Sequence, residues 1–361
     1  MPDTPATTPV APADLRLHAI GRARDALLSQ GAAFTPGIEP WIARSWRRCM
    51  AQGRRPTDAV AFDAVGRAAL RQHREANATL LAAASPVLAD LDRLIAPTRY
   101  FSILTDAAGV VVAVGASADS RDRRVHAIAR IGVDLSERRV GTTAIGAALG
   151  ELHPVWLHRG EHFFEATSVY SCAGAPIVGP DGRCAGMLDL TGVLAPERPE
   201  LRHLAARMAR RIEDALLRAL PHRTLLQVRW PGIDDNDEAG LLALDQDGRI
   251  VGADRTARTM LSLDPSAAEL PAVQQCFAAP PAALLDLRSD MPAQTLPLWS
   301  GLQVTVAPVA QRDPNPARWR DAEAQLIREA LQAAGGNVAQ AARRLGLSRA
   351  TLYRRLASRG R

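Results

Sequence analysis

The sequence predicts a multidomain protein, with an α+β domain, a smaller α+β segment after it and an all-α helix-turn-helix at the C-terminal end. The length of 361 residues corresponds to two or three domains at about 100–200 residues each. Strand–turn–strand patterns alternate with helical patterns between residues 100 and 192. Three helical patterns follow residue 320. These observations together favour separate α+β and all-α parts.

Shifts in composition divide the chain into six segments. We expect a disordered N-terminus at 1–13, an N-terminal helical region at 14–79, the α+β domain with its closing helix at 80–220, the smaller α+β segment at 225–310, a linker at 311–320 and the helix-turn-helix at 321–361. The first segment is rich in Pro, Ala and Thr, and such a composition buries too little apolar surface to fold.

The composition excludes several kinds of chemistry. All 44 residues counted as Lys or Arg are arginine. A Walker A phosphate loop and a Schiff-base enzyme both require lysine, so neither is expected. The four cysteines are widely spaced, which predicts free thiols and no structural zinc site. The sequence shows no secretory signal and no apolar run of about 20 residues, so we expect a cytoplasmic protein with no membrane partner.

The elements of the α+β domain follow from local patterns. Helical spacing is found at 41–53 and at 60–96. Residues 100–115 read as strand, Asp-Ala-Ala-Gly turn and strand, and residues 175–192 place Pro-Asp-Gly between two strands. A helix at 140–151 and a short strand at 154–157 are predicted between these hairpins.

A long amphipathic helix is predicted at 196–220, where apolar residues recur at three- and four-residue spacing. Two interpretations remain open for it. The helix either packs on its own sheet, or it acts as a signalling helix at a dimer interface.

The positive charge is concentrated at the C-terminal end. Residues 337–361 contain seven arginines and no acidic residue, whereas the whole chain has a formal net charge of +6. A basic cluster limited to one short segment is typical of nucleic-acid binding. A disordered basic tail would have the same charge. This segment also has regular apolar spacing, which a disordered tail lacks.

The last two predicted helices form a helix-turn-helix around Gly346. Leu352 and Leu356 define the buried side of the last helix, so its opposite side faces the major groove of double-stranded DNA. Arg354 is placed to contact base edges, whereas Arg355 is placed to contact phosphates. The predicted DNA-binding residues are Arg344, Ser348, Arg349, Ala350, Thr351, Tyr353, Arg354 and Arg355.

Parts of this sequence resemble two known protein families. GGNVAQAARRLGLSRATLYRRLASRG (335–360) closely resembles the C-terminal helix-turn-helix of the Fis family, which is also found at the end of sigma-54-dependent activators. SWRRCMAQG (45–53), GVDLSERRVGTTAIGAALGE (132–151), HPVWLHRGEHFF (153–164) and CAGAPIVGPDGRCAGMLDLTG (172–192) resemble the N-terminal GAF sensor half of the acetoin-catabolism-type activators of that group. The resemblance implies a GAF domain at 80–220 and, through residues 241–265, a degenerate PAS-like segment.

The sequence departs from that family at one place. The linker QRDPNPARW joins the PAS-like segment directly to the DNA-binding helices, with no AAA+ ATPase domain between them. The family's ATP-dependent remodelling of sigma-54 polymerase is therefore not expected of this sequence.

One loop carries residues that suggest chemistry. His158, Glu161 and His162 match H-x-x-E-H, a zinc pattern that requires a helix. Gly160 and the strand before it favour a loop, so no metal is expected. The loop either binds an effector or satisfies buried polar groups. The candidate effector-binding residues are Trp156, His158, Glu161, His162 and Phe163.

The sequence therefore predicts a transcriptional regulator that is not an enzyme and needs no cofactor. The expected partners are double-stranded DNA, a small-molecule effector, a second copy of the chain in a homodimer and RNA polymerase. Two alternatives belong to other classes. One is an architectural, nucleoid-type DNA-binding protein, and the other is a GAF-fold redox enzyme that uses Cys172 or Cys184.

Overall fold

The structure is a computed structural model of the chain, and it describes residues 12–31, 36–119, 121–232, 239–264, 269–288 and 290–309, together with 338 and 340. The chain divides into two compact units, Met1–Val309 and Ala310–Arg361. The predicted linker and helix-turn-helix belong to the second unit, and the predicted DNA-binding residues lie outside the described residues. These are Arg344, Ser348, Arg349, Ala350, Thr351, Tyr353, Arg354 and Arg355.

The first unit begins with helices. They are α1 (Pro12–Arg24), α2 (Pro40–Ala51), α3 (Arg67–Ala76) and α4 (Ala78–Ile95). α1 continues directly into a π-helical turn, Asp25–Ser29. α2 starts at a proline, which suits the first helical position because the missing N–H has no intrahelical partner there. The helical patterns at 41–53 and 60–96 are thus confirmed as α2 and as α3 with α4.

Five antiparallel strands form the first sheet in the order β2-β1-β5-β4-β3. They are β1 (Tyr100–Asp106), β2 (Val111–Val114), β3 (Val155–His158), β4 (Tyr170–Val178) and β5 (Cys184–Val193). β1 with β2 and β4 with β5 are the two predicted hairpins. β4 and β5 are almost entirely buried, because helices cover both faces of the sheet.

Two hydrophobic cores result, one on each face of this sheet. On one face the core includes α2 and three short helices, α5 (Arg123–Ile128), α6 (Glu137–Val140) and α7 (Ala144–Glu151). On the other face it includes α4 and α8 (Leu201–Ala219), which is the helix predicted at 196–220. α8 contacts β4 and α4, so packing on its own sheet is confirmed. Its role as a signalling helix stays a prediction.

A second antiparallel sheet forms the smaller α+β part, in the order β8-β7-β6-β10-β9. Its strands are β6 (Thr224–Arg229), β7 (Gly240–Leu244), β8 (Ile250–Ala253), β9 (Gln294–Pro297) and β10 (Gln303–Pro308). The short helices α9 (Arg255–Met260) and α10 (Ala282–Leu285) contribute to its core. In the part of the chain that the structure describes, no helix combines the length and apolar character needed to cross a membrane.

The turn between β4 and β5 contacts the second sheet domain directly. The Ala253 amide donates to the Pro180 carbonyl over 3.1 Å. The buried Arg258 donates from Nη2 to the same carbonyl over 2.7 Å and from Nε to the Ala253 carbonyl over 3.0 Å. Gly182 lies against the Arg258 guanidinium, where a Cβ would approach within 2.5 Å. The hairpin tip therefore reaches the second domain through specific hydrogen bonds.

Candidate functional site

A small buried cavity lies between the first sheet and the helices α5 to α7. Its volume is about 30 Å³, which is about the share of one water molecule in the liquid. Most of the lining side chains are apolar. The polar ones come from β4, from β5, from the turn before α7 and from the loop after β3: Thr143, His162, Thr167, Tyr170, Asp189 and Thr191.

Asp189 is the acidic group of this cavity. It lies in β5 and is 1% exposed. Its Oδ2 accepts a hydrogen bond from the Thr191 hydroxyl, whereas its Oδ1 has no hydrogen-bond partner among the described residues. Burial raises the pKa of Asp189 to about 7. The Cys172 thiol lies 3.4 Å from the Thr191 hydroxyl, so β4 and β5 together form one polar edge of the cavity.

His162 is the second buried polar group of the cavity with an atom left unpaired. Its Nδ1 lies 2.9 Å from the Arg159 carbonyl. A carbonyl can only accept, so we assign the ring hydrogen to Nδ1, which leaves Nε2 as a hydrogen-bond acceptor. This Nε2 has no partner among the described residues. Burial lowers the pKa of His162 to about 4, so the ring is neutral at pH 7.

The other polar groups of the lining have protein partners. The Tyr170 hydroxyl donates to the Arg124 carbonyl over 2.9 Å, and the Thr167 hydroxyl donates to the Phe164 carbonyl over 2.8 Å. The Thr143 hydroxyl accepts from the Gly146 amide over 3.1 Å at the start of α7. Among the described residues, the buried side-chain atoms of the lining with no hydrogen-bond partner are therefore Oδ1 of Asp189 and Nε2 of His162.

Two glycines allow the elements around the cavity to approach each other. Gly174 in β4 faces α7, and a Cβ there would lie 3.0 Å from the Ala144 carbonyl. Gly141, between α6 and α7, has a φ of +69°. A Cβ at Gly141 would lie 2.7 Å from the Phe164 ring. Glycine is required at the second position both for the backbone conformation and for the close contact.

As far as the described residues show, His162 is the one member of the five predicted effector residues that lines the cavity. Trp156 belongs to β3 and points to the opposite face of the sheet, where it packs with α4 and α8. His158 stacks on Trp156 at 6.2 Å, and its Nδ1 lies 2.9 Å from the Ser171 hydroxyl. Burial lowers the pKa of His158 to about 4. Trp156 and His158 are two positions apart in β3 and therefore share one face of the sheet, whereas His162 follows the 3-10 turn Arg159–Glu161 after the strand.

Glu161 and Phe163 serve the packing of the loop after β3. Glu161 is fully buried, forms an ion pair with Arg16 of α1 and accepts a hydrogen bond from the His158 amide. Burial raises the pKa of Glu161 to about 7. Phe163 is also fully buried and packs edge-to-face on Phe164 at 5.0 Å. The H-x-x-E-H pattern thus spans a strand and a 3-10 turn.

Sequence reasoning missed Asp189, Thr191 and Tyr170 as cavity residues. A signal was present in LDLTG, where an acidic residue stands within an otherwise apolar strand. A buried polar residue is more informative than a buried apolar one, because burial without a partner is unfavourable. The pattern could not show that Tyr170 and His162 meet Asp189, since they lie in other segments.

A larger recess of about 900 Å³ lies on the second sheet domain, near Asp247, Arg249 and Cys276. Its lining contains no buried side-chain atom without a hydrogen-bond partner, as far as the described residues show. Across the described ranges, no group of three or more His, Cys, Asp or Glu side chains could hold a metal ion. The buried cavity of the first domain is therefore the stronger candidate for a ligand site.

Comparison with known families identifies the class of protein. Residues 319–358 match the family model described as "Bacterial regulatory protein, Fis family". An α+β domain followed by this segment defines a bacterial regulatory protein. Residues 17–214 match the model described as "MimR, N-terminal domain", and this match spans more than half of the chain. The chain belongs to the MimR N-terminal domain family.

The curated relatives agree with the family recognised in the sequence. The "Acetoin catabolism regulatory protein" of Cupriavidus necator is 33% identical over 227 residues, which are 61% of this chain and 34% of that protein. The "Acetoin dehydrogenase operon transcriptional activator AcoR" of Bacillus subtilis is 31% identical over 179 residues, which are 48% and 29%. The chain thus spans about a third of the length of these relatives. Their names describe regulators and not enzymes.

Among solved structures, the E. coli DhaR(N)–DhaL complex contains a chain that is similar to this one. The sequence identity is 17% and the TM-score is 0.47. The match covers 75% of this chain and 100% of that chain.

Proposed function

We propose that this chain is a DNA-binding transcriptional regulator whose first α+β domain senses a small molecule. The observation that carries the proposal is the match of residues 319–358 to the Fis family of regulatory proteins. The arginines of residues 337–361 support it, because phosphate contacts by basic side chains supply much of the affinity for DNA. The names of the relatives, which include a transcriptional activator, support the same function.

The finer parts of the proposal concern domain type and assembly. We assign a GAF-type domain to residues 80–220 and a PAS-like segment to 225–310. Homodimers are expected because a single helix-turn-helix binds weakly and paired half-sites are the usual solution. RNA polymerase is the expected partner for the regulatory output. The eight DNA-contacting positions stay predictions, as do the effector roles of Trp156, His158, Glu161 and Phe163.

The two alternatives are less well supported. A redox enzyme needs an accessible thiolate, whereas burial raises the pKa of the Cys172 and Cys184 thiols. An architectural protein needs no buried cavity with unpaired polar groups. Effector-dependent DNA binding separates this second alternative from a regulator, because an architectural protein should ignore small molecules.

The test is a selection of DNA from a random duplex library by the purified full chain. We expect enrichment of two inverted half-sites whose centres lie about one helical turn apart. A variant with Arg349, Arg354 and Arg355 changed to Ala serves as the control and should enrich no sequence. If the unchanged full chain, shown to be folded, also enriches none, the proposed function is wrong.

A further inference from the structure

A cleft lies at the junction of the two sheet domains, separate from the buried cavity of the first domain. The described residues that line it come from the junction of α3 and α4, from the β1–β2 and β4–β5 turns, from the end of α8 and from β8. Its volume is about 470 Å³, which is within the range of small-molecule sites. Such sites occur preferentially at domain interfaces, so this cleft is a candidate for a ligand that contacts both domains.

The apolar surface of the cleft is aliphatic. Leu80 and Leu216 are buried members of the lining, whereas Leu220 and Val251 are half-buried. Val251 belongs to β8 and is the contribution of the second domain among the described residues of the lining. None of these described residues is aromatic. A hydrocarbon chain that covers the half-buried side chains would remove apolar surface from water, which favours binding.

One cationic donor of the cleft has no partner. Arg183 is exposed, and no hydrogen bond or ion pair joins its guanidinium to any residue that the structure describes. Other donors of the lining are already in use. The side-chain amide of Asn77 donates to the His73 carbonyl over 2.8 Å. The Cys184 thiol donates to the Gly186 carbonyl over 3.3 Å. A ligand for this cleft should therefore bring an acceptor, and a guanidinium pairs most strongly with an anionic one.

The acidic groups near the cleft have partners. Oδ1 of Asp181 accepts a hydrogen bond from the Arg183 amide over 3.1 Å. Burial lowers the pKa of Arg258, and attraction to Asp181 opposes this effect. Glu213 lies 3.4 Å from the guanidinium of Arg255. An anion can therefore pair with Arg183 without displacing another carboxylate, whereas a cation would have to compete with these arginines for an acidic group.

We propose that this cleft binds an aliphatic carboxylate of medium chain length, with its carboxylate on Arg183 and its hydrocarbon chain along Leu220 and Val251. Such a ligand contacts both sheet domains, so its binding would stabilise the junction between them. The site goes beyond the proposed function, on which only its regulatory meaning rests. The binding itself requires the two sheet domains and no DNA.

The first test is isothermal titration calorimetry of the full chain with octanoate, 1-octanol, octylammonium and acetate. We expect octanoate to bind, and 1-octanol to bind about tenfold more weakly because it lacks the charged partner of Arg183. Octylammonium and acetate should give no heat of binding, because the first has the wrong charge and the second has no chain. If octanoate fails to bind, or any other probe binds as tightly, the proposed ligand class is wrong.

Variants connect the binding to the charge at the cleft. Arg183→Gln should weaken octanoate binding by about tenfold and leave the affinity for 1-octanol unchanged. Ala107→Asp places a carboxylate at an exposed position of the lining, and it should also weaken octanoate more than 1-octanol. The matched control is Arg22→Gln, at an exposed arginine of α1, which should change neither affinity. Equal octanoate affinity in Arg183→Gln and Arg22→Gln would overturn the proposal.

Two half-buried cysteines report the position of the ligand. Cys184 lines the cleft, whereas Cys276 lies at the recess of the second domain. Burial raises the pKa of both thiols, so Cys276 is a matched internal control. Saturating octanoate should slow the alkylation of Cys184 by iodoacetamide severalfold and leave the rate at Cys276 unchanged, as measured by mass spectrometry of the peptides. An unchanged rate at Cys184 would place octanoate elsewhere and contradict the proposed site.

The outcome is separable from that of the DNA selection. A full chain that enriches an operator but binds no octanoate would contradict the proposed site and leave the DNA-binding function in place. A full chain that binds octanoate through Arg183 but enriches no DNA would have the opposite meaning.

Discussion

Asp189 stands in β5 with apolar residues before it and Thr191 two positions after it. One of its carboxyl oxygens accepts a hydrogen bond from Thr191, and the other has no partner in the part of the chain that the structure describes. A well-packed apolar residue would be better for stability at this position. Sites that retain such a group give up stability in exchange for a function. The loss of stability can be measured, because it depends on the protonation of Asp189 and therefore on pH.

Asp189→Asn is expected to stabilise the protein more as the pH rises. Burial raises the pKa of Asp189 to about 7, from an ordinary value of 3.8. The folded protein therefore holds this proton more tightly than the unfolded chain. The contribution of the neutral carboxyl is fully present below about pH 4 and is lost as the pH rises through 7. Relative to the unchanged protein, the variant should gain up to about 4 kcal/mol between pH 4 and pH 8.

Urea denaturation at several pH values measures this difference. The buried histidines have the opposite pH dependence, because their lowered pKa values destabilise the fold as the pH falls below 6.5. This effect is the same in the variant and in the unchanged protein, so it cancels when the two are compared. Asp247→Asn, at an exposed carboxyl, is the control for the exchange of a carboxyl for an amide outside the cavity. Parallel stability curves for Asp189→Asn and the unchanged chain would mean that Asp189 is not buried as an acid.

A second prediction at this scale separates specificity from affinity in the last helix. Arg354 is expected to reach base edges, so Arg354→Ala should weaken binding to the selected duplex by about 1–3 kcal/mol and relax the preference at one base pair. Arg344→Ala and Arg355→Ala should weaken binding evenly across sequences and reduce the salt slope by about one unit. Salt titrations on selected and scrambled duplexes measure both effects. Equal losses on the two duplexes for Arg354→Ala would contradict its placement in the groove.

At the scale of elements, the N-terminal helices hold the two segments that cover the cavity. Arg24 at the end of α1 donates to the carbonyls of Gly160, His162 and Phe163 over 2.8, 2.6 and 3.0 Å. Arg48 of α2 donates to Glu137 of α6 over 2.7 and 2.8 Å. The position of His162 in the cavity therefore depends on a helix that is distant from it in the sequence.

Arg24→Ala is expected to loosen the loop after β3. The guanidinium is partly buried and lies 5.4 Å from the centre of the Trp46 ring. A hydrogen bond from a charged group contributes at most about 1.5–3 kcal/mol to the free energy of unfolding. We expect the free energy of unfolding to fall by about 2 kcal/mol. Hydrogen exchange at the amides of residues 159–164 should become faster.

Arg22→Ala is the matched control, since Arg22 is an exposed arginine of the same helix. It should leave both the stability and the exchange rates unchanged. If Arg24→Ala and Arg22→Ala gave the same exchange pattern, the carbonyl contacts of Arg24 would not hold the loop in solution.

At the scale of the whole described unit, polar and apolar contacts join the two sheet domains. Arg258 connects the β4–β5 turn with β8, and Arg255 lies 3.4 Å from Glu213 of α8. An apolar cluster of Leu217, Leu225, Leu241 and Ala243 adds a further contact. Domains within a chain can move relative to each other unless specific contacts hold them.

Arg258→Met is expected to separate the unfolding of the two domains. The substitution keeps a long apolar side chain but removes the hydrogen bonds from the guanidinium to the Pro180 and Ala253 carbonyls. The Ala253–Pro180 backbone hydrogen bond, the Arg255–Glu213 ion pair and the apolar cluster remain at the junction. Differential scanning calorimetry should resolve two transitions where the unchanged chain gives a single one. Arg249→Met, at an exposed position of the same domain, should preserve the single transition. A single transition in both variants would show that the hydrogen bonds of Arg258 do not couple the domains.

The sequence by itself determined the elements and the class of protein. Local patterns can be recognised in a sequence because turn chemistry and side-chain periodicity act between near neighbours. Examples here are the Pro-Asp-Gly and Asp-Ala-Ala-Gly turns, the helical spacing of α4 and α8 and the arginine-rich C-terminal segment. They were sufficient for the α+β class and for the Fis-type segment that the family comparison bears out.

The tertiary structure decided which residues form the cavity. Asp189 lies opposite Ile103 in β1 and opposite Gly174 in β4, so strand register and not sequence proximity sets its neighbours. Trp156 and His162 are six positions apart, and strand alternation alone would put them on one face; they lie on opposite faces of the sheet because β3 ends at His158 and the chain turns before His162. Pairings between distant strands depend on the packing of the whole domain, and no local pattern contains that information.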